Sequence, residues 1–206
     1  MQADNGGWII NYPYRHYTER AAYRRPRYGG AMGPGLALSA FARGYQETGD
    51  AKYLEAGNRA LDFMTIPFPY GPKTSLNHLD PSLSEYVFFL EYMTNPHVYT
   101  LNGYMFALLG LYDWSVIAKS ERAGELFKKG ISTLEHILPY YDIGTFSAYD
   151  LSYITHGLLQ PYLEPRLPHV AASYHAFHIA QLRALASVTG SPILSAYAEK
   201  WQSYVE

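Results

Sequence analysis

Two histidines and two aspartates are residues whose types and spacing suggest chemistry at once. His175 and His178 stand at i and i+3 in a helically periodic stretch, so their rings share a face. Such a pair suits bonding to an anion, or two positions of a zinc site. Zinc wants a third and usually a fourth ligand, and none follows at a recognisable spacing, because His156, Glu164 and His169 are scattered through a loop-like segment. Histidines on a helix face that bond neighbouring loops satisfy the same spacing. Asp142 and Asp150 invite a paired-carboxylate reading of the glycosidase kind. Turn and cap roles are commoner for aspartate.

Composition narrows the field. The 206 residues fit one domain with a sizeable core, and the net charge of -2 lacks the basic bias of a nucleic-acid protein. There is no cysteine, so disulfides and thiolate catalysis are excluded. Residues Met1 to Gly7 carry no signal-peptide core, and no run approaches the roughly 18 apolar residues of a membrane span. The 21 tyrosines, 9 phenylalanines and 3 tryptophans are the compositional excess. A flat apolar ring with a polar tip suits sugar clefts, and equally a tyrosine-rich core.

The elements that must position these groups are mostly helical. Residues 1–30 read as an irregular arm, with Tyr12-Pro13-Tyr14-Arg15 and four arginines, Arg20, Arg24, Arg25 and Arg27, that suit an anion patch or a solvated arm. Leu38, Phe41, Ala42 and Tyr45 then recur at helical spacing until Thr48-Gly49, and Asp50 caps a second helix. The same plan returns with Ile179, Leu182 and Ala186, Thr189-Gly190, and Ser191-Pro192. Between the two pairs lie a proline-rich stretch, a β-prone run at Tyr86–Tyr92, a helix from Asn102, another over about 122–138, and a loop region at 139–170. Repeated helical hairpins with long loops at one end predict a mostly α fold, an incomplete (α/α) toroid or barrel over residues 31–206, with a simple helical bundle as the alternative.

Four segments then meet a family pattern. They are Ala31-Met32-Gly33 through Arg43 and Tyr45 to Asp50; Glu91-Tyr92, Asn95-Pro96, Leu101-Asn102-Gly103 and Gly110-Leu111-Tyr112-Asp113; Tyr141-Asp142-Ile143-Gly144 with Tyr149-Asp150-Leu151; and Tyr174-His175-Ala176-Phe177-His178-Ile179, closed by Trp201 and Tyr204. In this order the chain, over roughly residues 31–205, resembles the C-terminal helical domain of the D-glucuronyl C5-epimerases of heparan sulfate biosynthesis. The resemblance implies an isomerase that converts D-glucuronate to L-iduronate residues in an acidic polysaccharide, with no cofactor and no metal. It implies catalytic roles for Glu91, Tyr92, Tyr149 and Tyr174, and substrate contacts from Arg43, Asn102, Tyr153, His175 and His178. Asn102 equally suits an N-cap.

The implied chemistry explains those residue types. Inverting C5 of a uronate removes a proton alpha to a carboxylate, so developing enolate charge must be stabilised. A base is needed on one ring face and an acid on the other. A glutamate and tyrosines serve if burial and neighbours bring their pKa values toward neutrality.

Two departures from the family pattern stand out. The family places an arginine, a bidentate carboxylate clamp, three residues after the tyrosine matching Tyr149; here Ser152 stands there, followed by Tyr153. Arg43, Arg166 or a histidine is then left to supply a cation. Family enzymes also carry β-rich domains before the helical one. A uronate lyase sharing the first step, and a non-catalytic polysaccharide-binding domain, are the competing readings. A homodimer is allowed for, and the compartment is left open: eukaryotic family members are Golgi-lumenal, and a bacterial or archaeal source fits the lack of a targeting segment.

Overall fold

The computed structural model of the chain describes residues 1–10, 22–23, 29–162 and 164–206. The Tyr12–Arg15 stretch and Arg20, Arg24, Arg25 and Arg27 lie outside the described residues.

Three helical hairpins make the frame. They are α1 (Met32–Thr48) with α2 (Ala51–Met64), α3 (Leu101–Ile117) with α4 (Glu121–Tyr141), and, after the short α5 (Ser152–Leu159), α6 (Ala172–Thr189) with α7 (Pro192–Gln202). The first and third hairpins turn by the same chemistry. Gly49 and Gly190 adopt the left-handed conformation (φ 67° and 69°) and return their N–H groups to Tyr45 and Ala186. Asp50 and Ser191 then cap the next helix, accepting from the N–H of Lys52 and of Leu194. The middle hairpin turns instead on Lys119 at φ 52°, ahead of the Ser120 cap.

The first helices of the three hairpins run the same way. The Ala31 N–H donates to Leu90 O (2.7 Å) where α1 begins, and the Leu101 N–H donates to Tyr149 O (3.0 Å) where α3 begins. The Tyr149 ring lies 4.4 Å from that of Tyr174 in the first turn of α6. At the opposite end Arg43 of α1 pairs with Asp113 of α3, and Val188 of α6 shares a groove with Tyr112. Helix α3 is central, packed against α1, α4 and α6, and it is apolar nearly all round. Its approach to α1 is backbone to backbone: a Cβ on Gly110 would stand 2.1 Å from Gly35 O.

The connection between α2 and α3 supplies three of the four strands of two small sheets. Strand β2 (Lys73–Ser75) pairs antiparallel with β3 (Val87–Phe89), with Lys73 opposite Phe89. Strand β1 (Ala22–Tyr23) pairs antiparallel with β4 (Thr94–Asn95). The β-prone run is thus a strand over only Val87–Phe89, all three buried. Phe88 stacks on Tyr104 of α3 at 4.0 Å, and the Tyr104 hydroxyl is within reach of Val87 O and Gly130 O, both at 3.0 Å.

Three boundaries differ from the sequence reading. Helix α4 runs through Pro139 to Tyr141, although the proline gives no N–H to the helical ladder there. The expected loop at 139–170 contains α5, eight residues too short to show a clear helical period. Asn102 is not the N-cap of α3: Thr100 holds that position with an extended backbone, and Asn102 lies in the first turn.

Candidate active site

The end of the frame where α1, α3 and α6 begin gathers the functional groups. Glu91 and Tyr92 follow β3 after Leu90, and Gly30, just ahead of α1, abuts the Glu91 carbonyl. The Glu91 side chain lies against the first turn of α3 at Gly103. Its Oε2 is buried with no hydrogen-bond partner among the described residues. Burial pushes the Glu91 carboxyl up to about 7; hydrogen bonding from Tyr92 and from the Gly103 N–H pulls it down, and the charge of Asp150 pushes it up again. A carboxyl poised there changes protonation under ordinary working conditions.

A line of tyrosines continues from Glu91. The Tyr92 and Tyr149 hydroxyls are 3.2 Å apart, and either can donate. Tyr149 is buried, and its ring packs at 4.4 Å on Tyr174 and edge-on at 4.9 Å on His169. Its backbone is held on both sides: its N–H donates to His169 O at 2.8 Å, and its O accepts from Leu101. The four residues that the sequence nominated for catalysis, Glu91, Tyr92, Tyr149 and Tyr174, therefore lie in one connected row. Helix N-termini carry partial positive charge and favour anions, so the three that open on this end suit a carboxylate ligand.

The nominated substrate contacts divide. Asn102 is in place, in the first turn of α3 beside Gly103. Its Oδ1 is buried without a partner among the described residues, and its backbone O accepts from Gln181 Nε2 at 3.0 Å. The structure does not bring Arg43 to the row. It pairs with Asp113 at 3.5 Å on the surface, ten residues along α3 from Gly103 and so about 15 Å away at 1.5 Å rise per residue. The Tyr153 hydroxyl is committed to Tyr140 O at 2.6 Å. His175 and His178 do share a face, as their spacing predicts, but that face is buried against Ser147 and Trp201. Burial holds the His178 imidazole down to about 3, so it stays neutral.

The two aspartates do not form a pair. Asp142 accepts from Gly144 N–H and from the Tyr204 hydroxyl, and is ion-paired to Lys200. Asp150 accepts from Ser152 N–H at 2.9 Å and from Ser152 Oγ at 2.6 Å. The serine that replaces the arginine of the family pattern is thus buried and bonded to Asp150. Among the described residues no group of three or more His, Cys, Asp or Glu side chains could hold a metal ion. No helix among them is long and apolar enough to cross a membrane.

Sequence reasoning missed three contributors. Gly103 gives Glu91 its room, Ser147 joins the two histidines, and His169 braces Tyr149. Gly103 was visible only as part of a motif. A lone serine and a lone loop histidine carry no local signal.

Fold and site together define a helical-hairpin protein of the α/α-toroid kind, with a carboxyl-and-tyrosine row at the end where its inner helices begin. The family described as D-glucuronyl C5-epimerase C-terminus matches residues 2–203, and the chain belongs to that family. The match takes in the first thirty residues as well as the helical part. The chain is 30% identical over 216 residues to a D-glucuronyl C5-epimerase of Caenorhabditis elegans, covering 98% of this chain and 33% of that protein. It is 26% identical over 196 residues to an uncharacterized protein of Methanocaldococcus jannaschii, covering 95% of this chain and 56% of that one. It therefore spans a third to little more than half of these relatives. Among solved structures, the cellobiose 2-epimerase of Spirochaeta thermophila superposes with a TM-score of 0.52 at 17% identity, over 84% of this chain and 42% of that one. That likeness supports the toroid architecture, of which this chain supplies a part.

Proposed function

We propose that this chain epimerises D-glucuronate residues at C5 within an acidic polysaccharide, giving L-iduronate. The observation that carries the reading is Glu91: a carboxyl held near 7 by burial and joined through Tyr92 to Tyr149 and Tyr174. Breaking the C5–H bond sends its electron pair into the adjoining carboxylate as an enolate. Reprotonation at C5 from the opposite face completes inversion, and nothing is oxidised or reduced. Ionised Glu91 takes the hydroxyl proton of one tyrosine of the row, and that tyrosinate takes the C5 proton. A second tyrosine delivers its own solvent-exchangeable hydroxyl proton to the opposite face of C5 and is restored by the proton held on Glu91. The helix N-termini at this end stabilise the enolate charge as it develops.

The lyase reading shares the first step and then expels the C4 substituent. The two are separated by product: proton NMR of glucuronate-containing polysaccharide incubated with the chain shows iduronate signals and no unsaturated uronate. Appearance of the unsaturated sugar in place of iduronate refutes epimerisation. A second reading, sugar binding without turnover, is favoured by one observation: Ser152 is buried against Asp150, so the position where the family pattern has a carboxylate clamp offers no cation. Polysaccharide binding with neither product would establish that reading.

A further inference from the structure

Next to Tyr149 and Tyr174 in the chain lies a buried polar cluster that the chemistry above does not use. Ser147 sits between two imidazoles. Its backbone N–H is 2.9 Å from His175 Nδ1, and its Oγ is 2.9 Å from the same nitrogen and 2.7 Å from His178 Nδ1. On the far side His175 Nε2 is 2.9 Å from Trp201 O. A carbonyl only accepts, so His175 carries its proton on Nε2 and receives the Ser147 N–H at Nδ1. With that acceptor engaged, the Ser147 hydroxyl proton goes to His178, whose Nε2 is left buried without a partner among the described residues. All three residues are essentially excluded from solvent.

Their places in the chain give the cluster its meaning. Ser147 stands two residues before Tyr149 and faces Tyr141 O through the next residue, the Ala148 N–H donating there at 2.7 Å. His175 is the residue after Tyr174. The loop that carries one tyrosine and the helix that carries the other are therefore fastened together by Ser147 and His175, two residues from Tyr149 and one from Tyr174, whose rings meet at 4.4 Å. We propose that Ser147, His175 and His178 are positioning residues that set the Tyr149 ring against the Tyr174 ring. The link is polar and fully buried, so it tolerates few geometries, whereas apolar packing alone would permit the loop to slide along α6. The consequence for turnover rests on the functional reading given above; the geometric claim does not.

Two substitutions at His175 separate the halves of the link. His175→Asn keeps an acceptor near Nδ1 for Ser147 and gives up Trp201. His175→Gln keeps a donor near Nε2 for Trp201 and gives up Ser147. Both lose stability, so melting alone does not distinguish positioning from support. The deciding readout is the ring-current shift of Tyr149 and Tyr174 in carbon-13 tyrosine-labelled protein, assigned by loss of each signal in Tyr149→Phe and Tyr174→Phe. Both signals move in His175→Gln and stay at their wild-type positions in His175→Asn. Ser147→Ala keeps the backbone N–H on His175 Nδ1 and removes the hydroxyl link to His178, so it moves both signals in the same direction by a smaller amount, which serves if His175→Gln does not fold. In steady-state epimerisation, kcat falls about tenfold in His175→Gln with KM little changed, and His175→Asn restores it. Tyrosine signals unmoved in folded His175→Gln and Ser147→Ala overturn the proposal. A wild-type chain that shows no exchange refutes the functional reading alone, and the ring shifts still decide the positioning.

Discussion

Gly103 lies so close to Glu91 that a Cβ on it would stand 2.1 Å from Oε2 and 2.7 Å from the Glu91 Cβ. The first turn of α3 is the floor on which the carboxyl rests. Gly103→Ala leaves the helix a better former in principle but evicts the carboxyl from that floor. Displacing a reacting group by an ångström costs on the order of 10²-fold. Gly103→Ala therefore lowers kcat by about that factor while the protein remains folded by circular dichroism. Wild-type kcat in this variant would show that the carboxyl has no part in turnover.

Glu91 also sets a pH profile. Its carboxyl is pushed up to about 7, so the basic form grows as pH rises through neutrality. The C5 exchange rate rises with it and levels above that point. The negative charge of Asp150 helps to hold the value up. Asp150→Asn accordingly moves the rising limb to lower pH. Rates measured across pH 5 to 9 check both statements, and a limb unmoved in Asp150→Asn would contradict the assignment to Glu91.

Stability carries the same signature with the opposite slope. The folded chain protonates Glu91 below about 7, whereas the unfolded chain does so only below about 4.5. Folding thus gains as pH falls between those values, by about 1.4 kcal/mol per pH unit. His178 acts in the other direction. Unfolded, it takes a proton below about 6.5; folded, not until about 3, so stability is lost as pH falls through that window. Subtracting the stability of Glu91→Gln from that of wild type isolates Glu91. The difference in urea-unfolding free energy grows by about 3 kcal/mol in favour of wild type between pH 8 and pH 4.5. A flat difference would mean that the carboxyl is solvated.

The middle hairpin offers a local test of backbone strain. Lys119 holds φ 52°, where Gly49 and Gly190 serve the other two turns. A left-handed residue with a side chain costs about 1–2 kcal/mol, part of which a glycine returns as chain entropy in the unfolded state. Lys119→Gly raises Tm by a few degrees, about 2–4 °C for a chain of this size, in a thermal melt. A lowered Tm would show that the turn is unstrained.

That same turn explains what was legible. Thr-Gly followed by a cap announces a hairpin twice in the sequence, and both were visible because glycine at a helix end has a specific conformational reason. The α3–α4 turn uses Lys119, which has none, so the hairpin had to be inferred from its apolar faces. Helix α3 was read from the apolar face of Leu101, Tyr104, Met105, Leu108, Leu109 and Tyr112, but its start was misplaced because Asn102 resembles a cap, whereas Thr100 holds the N-cap position with no side-chain cap bond. The carboxyl-and-tyrosine row was reached through a resemblance carried by ordered motifs, since Glu91 and Tyr92 alone look like a solvated carboxylate and an edge tyrosine. Arg43 and the two histidines show the limit of that route. Their side chains are directed by tertiary contacts to Asp113 and Ser147, which sit 70 and about 30 residues away in sequence and leave no local trace.

The central claim is proton transfer at C5 by the Glu91–tyrosine row, and solvent exchange measures it directly. The chain and its Glu91→Gln and Tyr174→Phe variants are incubated with glucuronate-containing polysaccharide in deuterated water, and deuterium at C5 is followed by NMR. The wild type places deuterium at C5 with matching growth of iduronate, and both variants lose at least 10²-fold of that rate. Exchange that persists undiminished in Glu91→Gln and Tyr174→Phe would contradict the account, because the proton would then be moved by other groups.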